Sequence, residues 1–521
     1  MARAVHVVGA GVAGLAAALR LARDGHAVTL HEATPEAGGR CRALPDGTDN
    51  GTHALTGANT AALGFLREIG AEDGWVEPEL GALPVFDLGD DTARRVALAP
   101  LRWRHAAARP AGLSVAALWA LSTGQGSVAA ALRRHSVFLR GFVEPLTVAA
   151  LNTPVAEASA PLLRAVLARL LAPGAARVLV ARQGLGPDLI APALAALRGA
   201  GVPLRFGARL RGMVVRDGRV QALEIGAHRV VLGPRDAVVL ALPAWEAARL
   251  IPGLPVPAAH APILNIHYAR GGEGPVRFLG LLGGLAQWVL VRPSGVSVTV
   301  SAADDAMGDD ADSLGARAWP EVRRAALGLG LAGAWPEAPP AFRVVKERRA
   351  TPRHGVVPNP VPPRLPLANC ALAGDWTWPW LPATIEASVL SGLAAAAAVR
   401  SGSAAAAVRS GSAAAAVKSA STAAAAHSAS AAAAVRSANA AAVLQGGSAA
   451  AAVGDKGARG PALAPGSGPS ATAFHSGASV ANDAAPVSSA PSDCVAADGQ
   501  TAAPGLGTPP ADSTTPKVLH A

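Results

Sequence analysis

The sequence Ala4-Val-His-Val-Val-Gly-Ala-Gly-Val-Ala-Gly14 places a glycine turn directly after a short, mainly apolar segment. Residues 4–8 are predicted to form a buried β-strand, because the run is short and apolar. An Ala/Leu-rich helix is predicted from Leu15 to Arg23, and a second strand from Ala27 to Leu30, shortly before Glu32. Strand, helix and strand together form a βαβ unit, which predicts a parallel sheet and an α/β fold.

The glycines of this turn have the spacing Gly-x-Gly-x-x-Gly, which is typical of dinucleotide-binding units. Gly9 permits the tight turn, Gly11 lets a pyrophosphate approach the backbone, and Gly14 lets helix and strand pack closely. The phosphates would bind free N–H groups at the helix N-terminus. Glu32 follows Gly14 by 18 residues (32 minus 14), where its carboxylate can accept both ribose hydroxyls of an adenosine and repel a 2′-phosphate. A chance glycine-rich turn is the alternative.

A second glycine turn with a cation, Gly38-Gly39-Arg40, follows and would lie beside the same pyrophosphate. The run from Glu32 to Arg40 resembles the extension found in FAD-binding flavoproteins of the amine oxidase and phytoene desaturase superfamily. A simple NAD dehydrogenase does not need this extension. The resemblance therefore implies that the cofactor is FAD.

The chain of 521 residues has two parts of different composition. All ten tryptophans lie before residue 381, whereas residues 399–521 contain one aromatic residue, Phe474, among mainly Ala, Ser, Gly and Pro. Such a tail cannot bury enough apolar surface to offset its chain entropy, so we predict that it is disordered. The remaining body is long enough for two substantial domains.

The net charge is +10, and the body carries +8 of it, because the tail has seven Lys/Arg and five Asp. Basic clusters such as residues 102–105 and 133–135 could favour nucleic acid or an anionic membrane surface. No nucleic-acid module is visible and the body is rich in Trp and Leu, so peripheral contact with a membrane surface is favoured and nucleic acid is not expected. An ordinary solvated face enriched in arginine explains the charge equally well.

Three widely separated cysteines without a C-x-x-C pair indicate neither a disulfide framework nor a metal site, which suits a reducing cytoplasm. The body contains no stretch of about 20 uncharged apolar residues, the length that a spanning helix needs. We therefore expect a cytoplasmic protein that contacts, at most, the cytoplasmic face of the inner membrane.

The order of sequence patterns predicts a discontinuous cofactor-binding domain. Helices with bulky apolar faces are predicted at 113–121, 128–139 and 161–171, and these faces could line an apolar pocket, dip into a bilayer surface or pack as an ordinary core. Short strands are predicted at 210–215, 220–225 and 237–242. The predicted fold is α/β: a Rossmann-like FAD-binding domain at 1–83, 177–245 and 341–398, an interleaved α+β substrate domain at 84–176 and 246–340, and a low-complexity tail at 399–521.

The last predicted strand ends at Ala373-Gly374-Asp375-Trp376, which places a carboxylate where it can bind the ribityl hydroxyls of a flavin. A helix is predicted to begin near Ala383, so that the N–H groups around Thr384 and Ile385 are free. Its positive dipole end can stabilise the anionic N1/O2 locus of a reduced flavin. A merely capped C-terminal helix is the alternative, but it does not explain the pairing with the N-terminal motif.

Two further positions are assigned through the resemblance to two-domain flavoproteins. The loop Asp49-Asn-Gly-Thr-His53 corresponds to one that lies near the isoalloxazine in that superfamily, although a simple turn with a helix cap accounts for it too. The strands after residue 208 correspond to a β-meander that covers the adenine side, which assigns a backbone contact to Leu210.

Several motifs together resemble the hydroxysqualene dehydroxylase family over residues 4–398. The motifs are the two N-terminal glycine turns, Asp49-Asn-Gly-Thr-His53, Leu151-Asn-Thr-Pro154, Pro262-Ile-Leu-Asn-Ile-His267, Ala373-Gly-Asp-Trp376 and Leu381-Pro-Ala-Thr-Ile-Glu386. The resemblance implies an FAD-dependent oxidoreductase that reductively removes the hydroxyl of hydroxysqualene in hopanoid biosynthesis, with Asp49 and His53 as candidate proton donors.

The same resemblance implies an apolar isoprenoid substrate, and an electron donor or neighbouring squalene and hopanoid enzymes as partners. Two alternatives stay open at this point. A carotenoid-type desaturase would use the flavin in the opposite direction, and a flavin-stabilised lipid carrier would perform no chemistry.

Overall fold

The computed structural model of the protein describes residues 3–269 and 273–401. In chain order the strands within these residues are β1 (Ala4–Val8), β2 (Ala27–His31), β3 (Ala54–Thr56), β4 (Trp75–Val76), β5 (Leu83–Asp87), β6 (Thr92–Val96), β7 (Val178–Ala181), β8 (Leu204–Arg205), β9 (Leu210–Arg216), β10 (Arg219–Ile225), β11 (His228–Val231), β12 (Ala237–Leu240), β13 (His260–Tyr268), β14 (Arg277–Leu282), β15 (Trp288–Arg292), β16 (Gly295–Ser301), β17 (Phe342–Pro352) and β18 (Cys370–Leu372).

The α-helices of the described residues fall into three groups along the chain. They are α1 (Val12–Arg23), α2 (Thr60–Glu68), then α3 (Val115–Thr123), α4 (Val128–Ala131), α5 (Ser136–Phe138), α6 (Glu144–Leu151) and α7 (Ala160–Arg169), and finally α8 (Ala191–Gly199), α9 (Ala244–Leu250), α10 (Ala311–Gly328) and α11 (Ile385–Ser401).

The predicted βαβ unit forms the centre of a parallel sheet with the strand order β18-β12-β1-β2-β8. β1 pairs in parallel with β2 on one side and with β12 on the other. Val5, Val7, Leu15 and Leu19 are almost fully buried between this sheet and α1. The predicted α/β fold with a Rossmann-like domain is therefore confirmed.

Helix α11 packs directly on α1, although more than 360 residues separate the two in the sequence. The approach is close because Gly392 faces α1: a Cβ at this position would lie 2.3 Å from the carbonyl oxygen of Ala13. The contact brings the C-terminal motif beside the N-terminal glycine turn.

A second, seven-stranded sheet has the order β17-β13-β16-β15-β14-β5-β6. Its pairs are antiparallel apart from β14 with β5. α10 covers one face, where Tyr268 and Trp319 are buried with ring centroids 4.8 Å apart. Helices α3 to α7 enclose a separate apolar core that includes Phe138, Leu151 and Leu163.

Three predicted elements differ in the structure. Residues 237–240 do not join the meander but lie beside β1, because this wholly buried apolar run suits a central parallel strand. β17 falls in the segment 341–398 that we assigned to the cofactor-binding domain, yet it pairs along β13 in the seven-stranded sheet. The helix predicted at 128–139 is broken, since His135 has a non-helical backbone (φ −128°, ψ 48°).

Asn152, in the predicted Leu-Asn-Thr-Pro motif, connects the helical region to the seven-stranded sheet. It ends α6 in the left-handed conformation (φ +46°), which asparagine tolerates better than most residues. Its side-chain amide donates to the carbonyl of Ala261 and the hydroxyl of Thr351, and its Oδ1 accepts from the amide of Ala302. The motif is thus an inter-element connection.

Of the helices in residues 3–269 and 273–401, none has the length and the apolar character needed to cross a membrane. Helix α11 continues to Ser401, so the first three residues of the predicted tail are helical. The rest of the tail predicted to be disordered lies outside the described residues.

Candidate active site

The N-terminal glycine turn has the close contacts that its sequence predicts. Gly9 has a φ of +102°, and a Cβ there would lie 2.3 Å from the carbonyl oxygen of Ala241. A Cβ at Gly14 would lie 1.9 Å from the carbonyl oxygen of Gly9. At Gly11, by contrast, no protein atom lies within 4 Å of an added Cβ. Gly9 and Gly14 are therefore required by the fold itself, whereas Gly11 leaves room for a ligand.

The second glycine turn lies against the first. The amide of Gly38 donates to the carbonyl of Ala10 (2.8 Å), and Gly11 and Gly38 form an isolated parallel bridge. Gly38 has a φ of +112°, a conformation that favours glycine. A Cβ at Gly39 would lie 3.4 Å from the Cα of Gly11. The two turns thus lie side by side, and Gly11 and Gly39 are their accessible positions.

Glu32 lies at the end of β2, beside the first glycine turn and the meander. Its Oε2 accepts from the amide of Ala10 (2.8 Å), and its Oε1 accepts from the amide and hydroxyl of Thr34. The amide of Ala208 donates to the main-chain carbonyl of Glu32 (2.7 Å), which places Leu210 two residues away. A carboxylate has about four acceptor positions, and three are used here, so Glu32 keeps about one for a ribose hydroxyl.

Arg40 joins the N-terminal and C-terminal motifs. Its Nη2 donates to Oδ1 of Asp375 (2.6 Å), and its Nη1 donates to the carbonyl of Ala350 (2.6 Å). The guanidinium thus bridges two protein segments, and its predicted place beside the pyrophosphate stays a prediction. Gly374, next to Asp375, is fixed by a hydrogen bond from its amide to Oγ of Ser391 (2.9 Å) in α11.

The N-terminus of α11 lies two residues later than predicted, at Ile385. The hydroxyl oxygen of Thr384 accepts from the amide of Ala387 (3.2 Å), and the amide of Ala383 donates to Nε2 of His354 (3.0 Å). Burial lowers the pKa of His354 to about 4, so this imidazole is neutral and can accept. His354, which lies outside α11, thus fixes the loop before this helix.

Asp49 is a buried ion-pair partner in this structure. Its Oδ2 pairs with Nη1 of Arg292 (3.1 Å), and its Oδ1 accepts from the amide of Leu185 (2.7 Å). The other guanidinium nitrogens of Arg292 donate to the carbonyl of Ala181. With both carboxylate oxygens engaged by protein donors, Asp49 is placed to hold the loop, which argues against our prediction of it as a proton source.

His53 is the other member of the predicted pair, and its environment is different. Its Nδ1 lies 3.0 Å from the carbonyl oxygen of Gly51, so this nitrogen is the donor. The Cys41 side chain, directly after the second glycine turn, also acts electrostatically on the ring. Burial lowers the pKa of His53, but Cys41 has the largest opposing effect, followed by the Gly51 carbonyl and Asp49, and the pKa rises to about 9. Together these interactions favour the protonated form of His53.

The loop that carries His53 is docked on β13 of the seven-stranded sheet. The amide of Thr52 donates to Oδ1 of Asn265 (3.4 Å), which also accepts from the hydroxyl of Thr299 (2.9 Å). Two buried polar atoms in this region, Oγ1 of Thr52 and Nε2 of His267, have no partner among the described residues. This part of the chain therefore retains hydrogen-bonding capacity for a bound group or its water.

An apolar pocket lies between the edge of the seven-stranded sheet and α6. Its walls carry almost no polar surface, which suits a hydrocarbon ligand better than an amine. The lining side chains include Leu83, Val96, Leu98, Phe142, Leu146 and Trp288.

Residues 12–278 match the model of the flavin containing amine oxidoreductase family. The chain belongs to this family. It is 39% identical to hydroxysqualene dehydroxylase of Rhodopseudomonas palustris over 421 residues, which cover 76% of this chain and 98% of the relative. The proteins of the same name from Sinorhizobium fredii and Zymomonas mobilis are 36% and 32% identical, over 76% and 75% of this chain and 98% and 97% of their own. The resemblance predicted from the motifs is confirmed.

Two solved structures share the fold of this chain. A triple mutant of putrescine oxidase matches with a TM-score of 0.57 and 16% identity, over 77% of this chain and 99% of that one. A putative protoporphyrinogen oxidase from Exiguobacterium matches with a TM-score of 0.54 and 14% identity, over 77% and 99%. At such low identity the likeness concerns the fold alone.

Membership in a flavin-containing family makes the chain an oxidoreductase and confirms the predicted cofactor, FAD. The residues present fit it, because the backbone surface around Gly11 is open and the adenine-side acid lies beside it. The roles of individual residues in binding FAD stay predictions. The residues that we expect to hold FAD are Gly9, Gly11, Gly14, Glu32, Gly38, Gly39, Arg40, Leu210, Gly374, Asp375, Thr384 and Ile385.

Sequence reasoning missed three residues of this site. Cys41 could have been found, because it directly follows Gly38-Gly39-Arg40. Arg292 and His354 carry no local signal: each acts on a residue that is far away in the sequence, Asp49 and Ala383 respectively.

Proposed function

We propose that this protein reductively removes the hydroxyl group of hydroxysqualene to give squalene, as a step of hopanoid biosynthesis. The observation that carries the proposal is the 39% identity to hydroxysqualene dehydroxylase of Rhodopseudomonas palustris across 98% of that protein. The lining of the pocket beside α6 has the apolar character that a triterpenoid alcohol needs, although the cavity of about 40 Å³ holds only a small part of such a molecule.

The proposed reaction consumes one hydride and one proton. When bound, reduced FAD would supply the hydride for the new C–H bond at the allylic carbon, where the C–O bond breaks. The hydroxyl oxygen takes up the proton and leaves as water, so squalene and water are the products. The chain itself must exclude water from the pocket and deliver that proton.

His53 is the proton donor that this arrangement favours. Its environment favours the protonated imidazole, whereas the oxygens of Asp49 are engaged by Arg292 and Leu185. The Gly51 carbonyl fixes the ring through Nδ1, and Cys41 acts electrostatically on it. Asp49 thus acts as a positioning residue for the loop, and Cys41 as a partner that keeps His53 protonated.

His53→Gln is expected to lower turnover of hydroxysqualene by about 100-fold or more, because general acid catalysis contributes about that factor. FAD content and the free energy of unfolding at alkaline pH should stay near those of the unchanged protein. Stopped-flow reoxidation of the reduced flavin by hydroxysqualene measures the effect. An unchanged rate would exclude His53 as the proton donor.

The pH dependence provides a second test of the same residue. Because the pKa of His53 is raised to about 9, the acid form and the rate should persist through neutral pH and decline as the pH rises through 9. The same shift stabilises the folded protein, fully below about pH 6.5, and this contribution is lost through pH 9. Cys41→Ala should move the decline in rate to lower pH. A decline that stays in place would contradict the role of Cys41.

The proposed function is tested by anaerobic incubation of the full chain, photoreduced on its FAD, with hydroxysqualene. We expect stoichiometric squalene and reoxidised flavin, detected by chromatography and absorbance. If the alcohol persists while the oxidised protein desaturates phytoene or a related polyene, a carotenoid-type desaturase replaces this proposal. If neither substrate reacts but both bind, the lipid-carrier alternative replaces it.

Partners and location are part of the same proposal. An apolar triterpenoid resides in membranes, so we place the protein in the cytoplasm with peripheral contact to the cytoplasmic face of the inner membrane, near the enzymes that make and use squalene. The electrons would come from a separate donor or from diffusing NAD(P)H. Loss of the flavin reduction rate in a cell extract depleted of small molecules would favour NAD(P)H over a protein donor.

A further inference from the structure

Helix α3 combines an apolar composition with unusual exposure. Its sequence, Val115 to Thr123, is apolar on nearly every face, a pattern of helices that are buried in a core or in lipid. Only Ala117 and Leu121 are buried, while Val115 is 86% and Trp119 is 69% exposed. The described residues therefore leave the apolar surface of this helix in water, and a binding partner or a lipid surface would bury it.

Further exposed apolar side chains lie on neighbouring segments. Val137 is 55% exposed and lies beside Gly112, where an added Cβ would approach the Val137 Cβ to 2.9 Å, shortly before α3 begins. Leu101 is 79% exposed and is followed by Trp103, whose ring packs edge-on against Phe142, with centroids 5.6 Å apart. We call this set the cap surface; its apolar members are Leu101, Val115, Leu118, Trp119 and Val137.

The cap surface lies in the most basic part of the body. Residues 92–143 contain eight arginines and neither Asp nor Glu. All eight are exposed, and Arg94 and Arg95 form ion pairs with carboxylates, whereas the other six form none with a carboxylate of residues 3–269 or 273–401. These six cations are Arg102, Arg104, Arg109, Arg133, Arg134 and Arg140.

The apolar pocket is connected to the segments of the cap surface through Phe142. Phe142 lines the pocket and at the same time packs against Trp103 and Phe138, which belong to segments of the cap surface. The cap surface and the pocket thus share one cluster of aromatic side chains.

We propose that the cap surface docks on the surface of an anionic phospholipid bilayer, with α3 lying in the interface. An exposed apolar helix flanked by unpaired arginines matches both parts of such a surface, its acyl chains and its negative headgroups. A second copy of this chain would bring the same arginines face to face, and a nucleic acid would leave Val115 and Trp119 in water. That the docked pocket receives a triterpenoid rests on the proposed function; the docking itself does not.

The test is co-sedimentation of the full chain, loaded with FAD, with vesicles of equal parts phosphatidylglycerol and phosphatidylcholine. We expect binding that weakens with salt, and weaker binding to phosphatidylcholine alone. Val115→Ser/Trp119→Ser should weaken binding by about tenfold or more, because two large apolar side chains no longer enter the interface. Arg133→Glu/Arg134→Glu should weaken it by more than about tenfold, since each charge near such a surface contributes about one factor of five.

Matched controls come from exposed residues elsewhere. Val231→Ser/Leu327→Ser removes exposed apolar side chains of other elements, and Arg216→Glu/Arg229→Glu reverses exposed charges on the meander. Both should bind vesicles like the unchanged protein. FAD content and circular dichroism establish that every variant is folded.

Two results would overturn the proposal. One is vesicle binding by the cap-surface variants that equals that of the unchanged protein. The other is a lipid-free dimer, seen by sedimentation, that only the cap-surface variants lose, since the surface would then be covered by a second copy. Because vesicle binding is measured without substrate, a failure of the proposed dehydroxylation leaves this test unaffected. With detergent-dispersed hydroxysqualene, the cap-surface variants should turn over normally.

Discussion

Gly14→Ala is expected to abolish FAD binding and to destabilise the protein by about 3 kcal/mol, the upper end of the usual cost of overpacking. The added methyl group would lie 1.9 Å from the carbonyl oxygen of Gly9, and both atoms belong to the rigid junction of β1 and α1. The helix therefore has to move away from the strand, and the N–H groups at its N-terminus move with it. Flavin absorbance after purification and urea unfolding measure the two effects.

Two control substitutions separate the fold from the cofactor. Gly11→Ala meets no protein atom within 4 Å, and Gly11 has a φ of −69° that alanine adopts readily, so the apoprotein should be as stable as before. A methyl group in the ligand space should nevertheless weaken FAD binding by about tenfold to 100-fold. Gly64→Ala, inside α2 and equally unobstructed, should stabilise the protein by about 0.5–1 kcal/mol and leave FAD binding unchanged. Normal FAD affinity in the Gly11 variant would contradict the assignment of the pyrophosphate to this turn.

Asp49→Asn is expected to lower the free energy of unfolding by about 3–5 kcal/mol, because it leaves the charge of Arg292 buried without its partner. Both side chains of this pair are less than a tenth exposed, with the oxygen and nitrogen 3.1 Å apart. Chemical denaturation of the FAD-loaded protein measures the loss.

Asp46→Asn is the matched control, because Asp46 forms a charged pair with Arg343 whose partners are each nearly half exposed. Such surface pairs contribute at most about 1 kcal/mol. Adding Arg292→Met to Asp49→Asn should recover part of the lost stability, although the Ala181 carbonyl then loses its donors. If the Asp49→Asn variant is as stable as the unchanged protein but has lost turnover, Asp49 rather than His53 is the proton donor.

The sequence predicts the first βαβ unit well because its signals are local. The spacing of Gly9, Gly11 and Gly14 dictates contacts between residues a few positions apart, and the apolar runs on both sides fix strand and helix. The motif around Gly374 and Asp375 is readable for the same reason. The family resemblance adds FAD, which the pattern of one turn does not distinguish from other dinucleotides.

The predictions that failed depend on partners from remote parts of the chain. Residues 237–240 could join either a meander or the parallel sheet by their composition, and only the pairing with β1 decides between them. Likewise, the sequence of β17 does not indicate which sheet the strand joins. Only its antiparallel pairing with β13 places it in the seven-stranded sheet.

By itself the sequence determined that this chain forms a Rossmann-like domain, where its glycine turns lie, and which family it resembles. Only the tertiary structure decided the roles of Asp49 and His53, four residues apart in one loop. The first meets Arg292 from β15 and the second meets Cys41 from the glycine turn. The protonation and hydrogen bonding of a side chain are set by the charges and dipoles within a few ångströms of it, and folding brings those from anywhere in the chain.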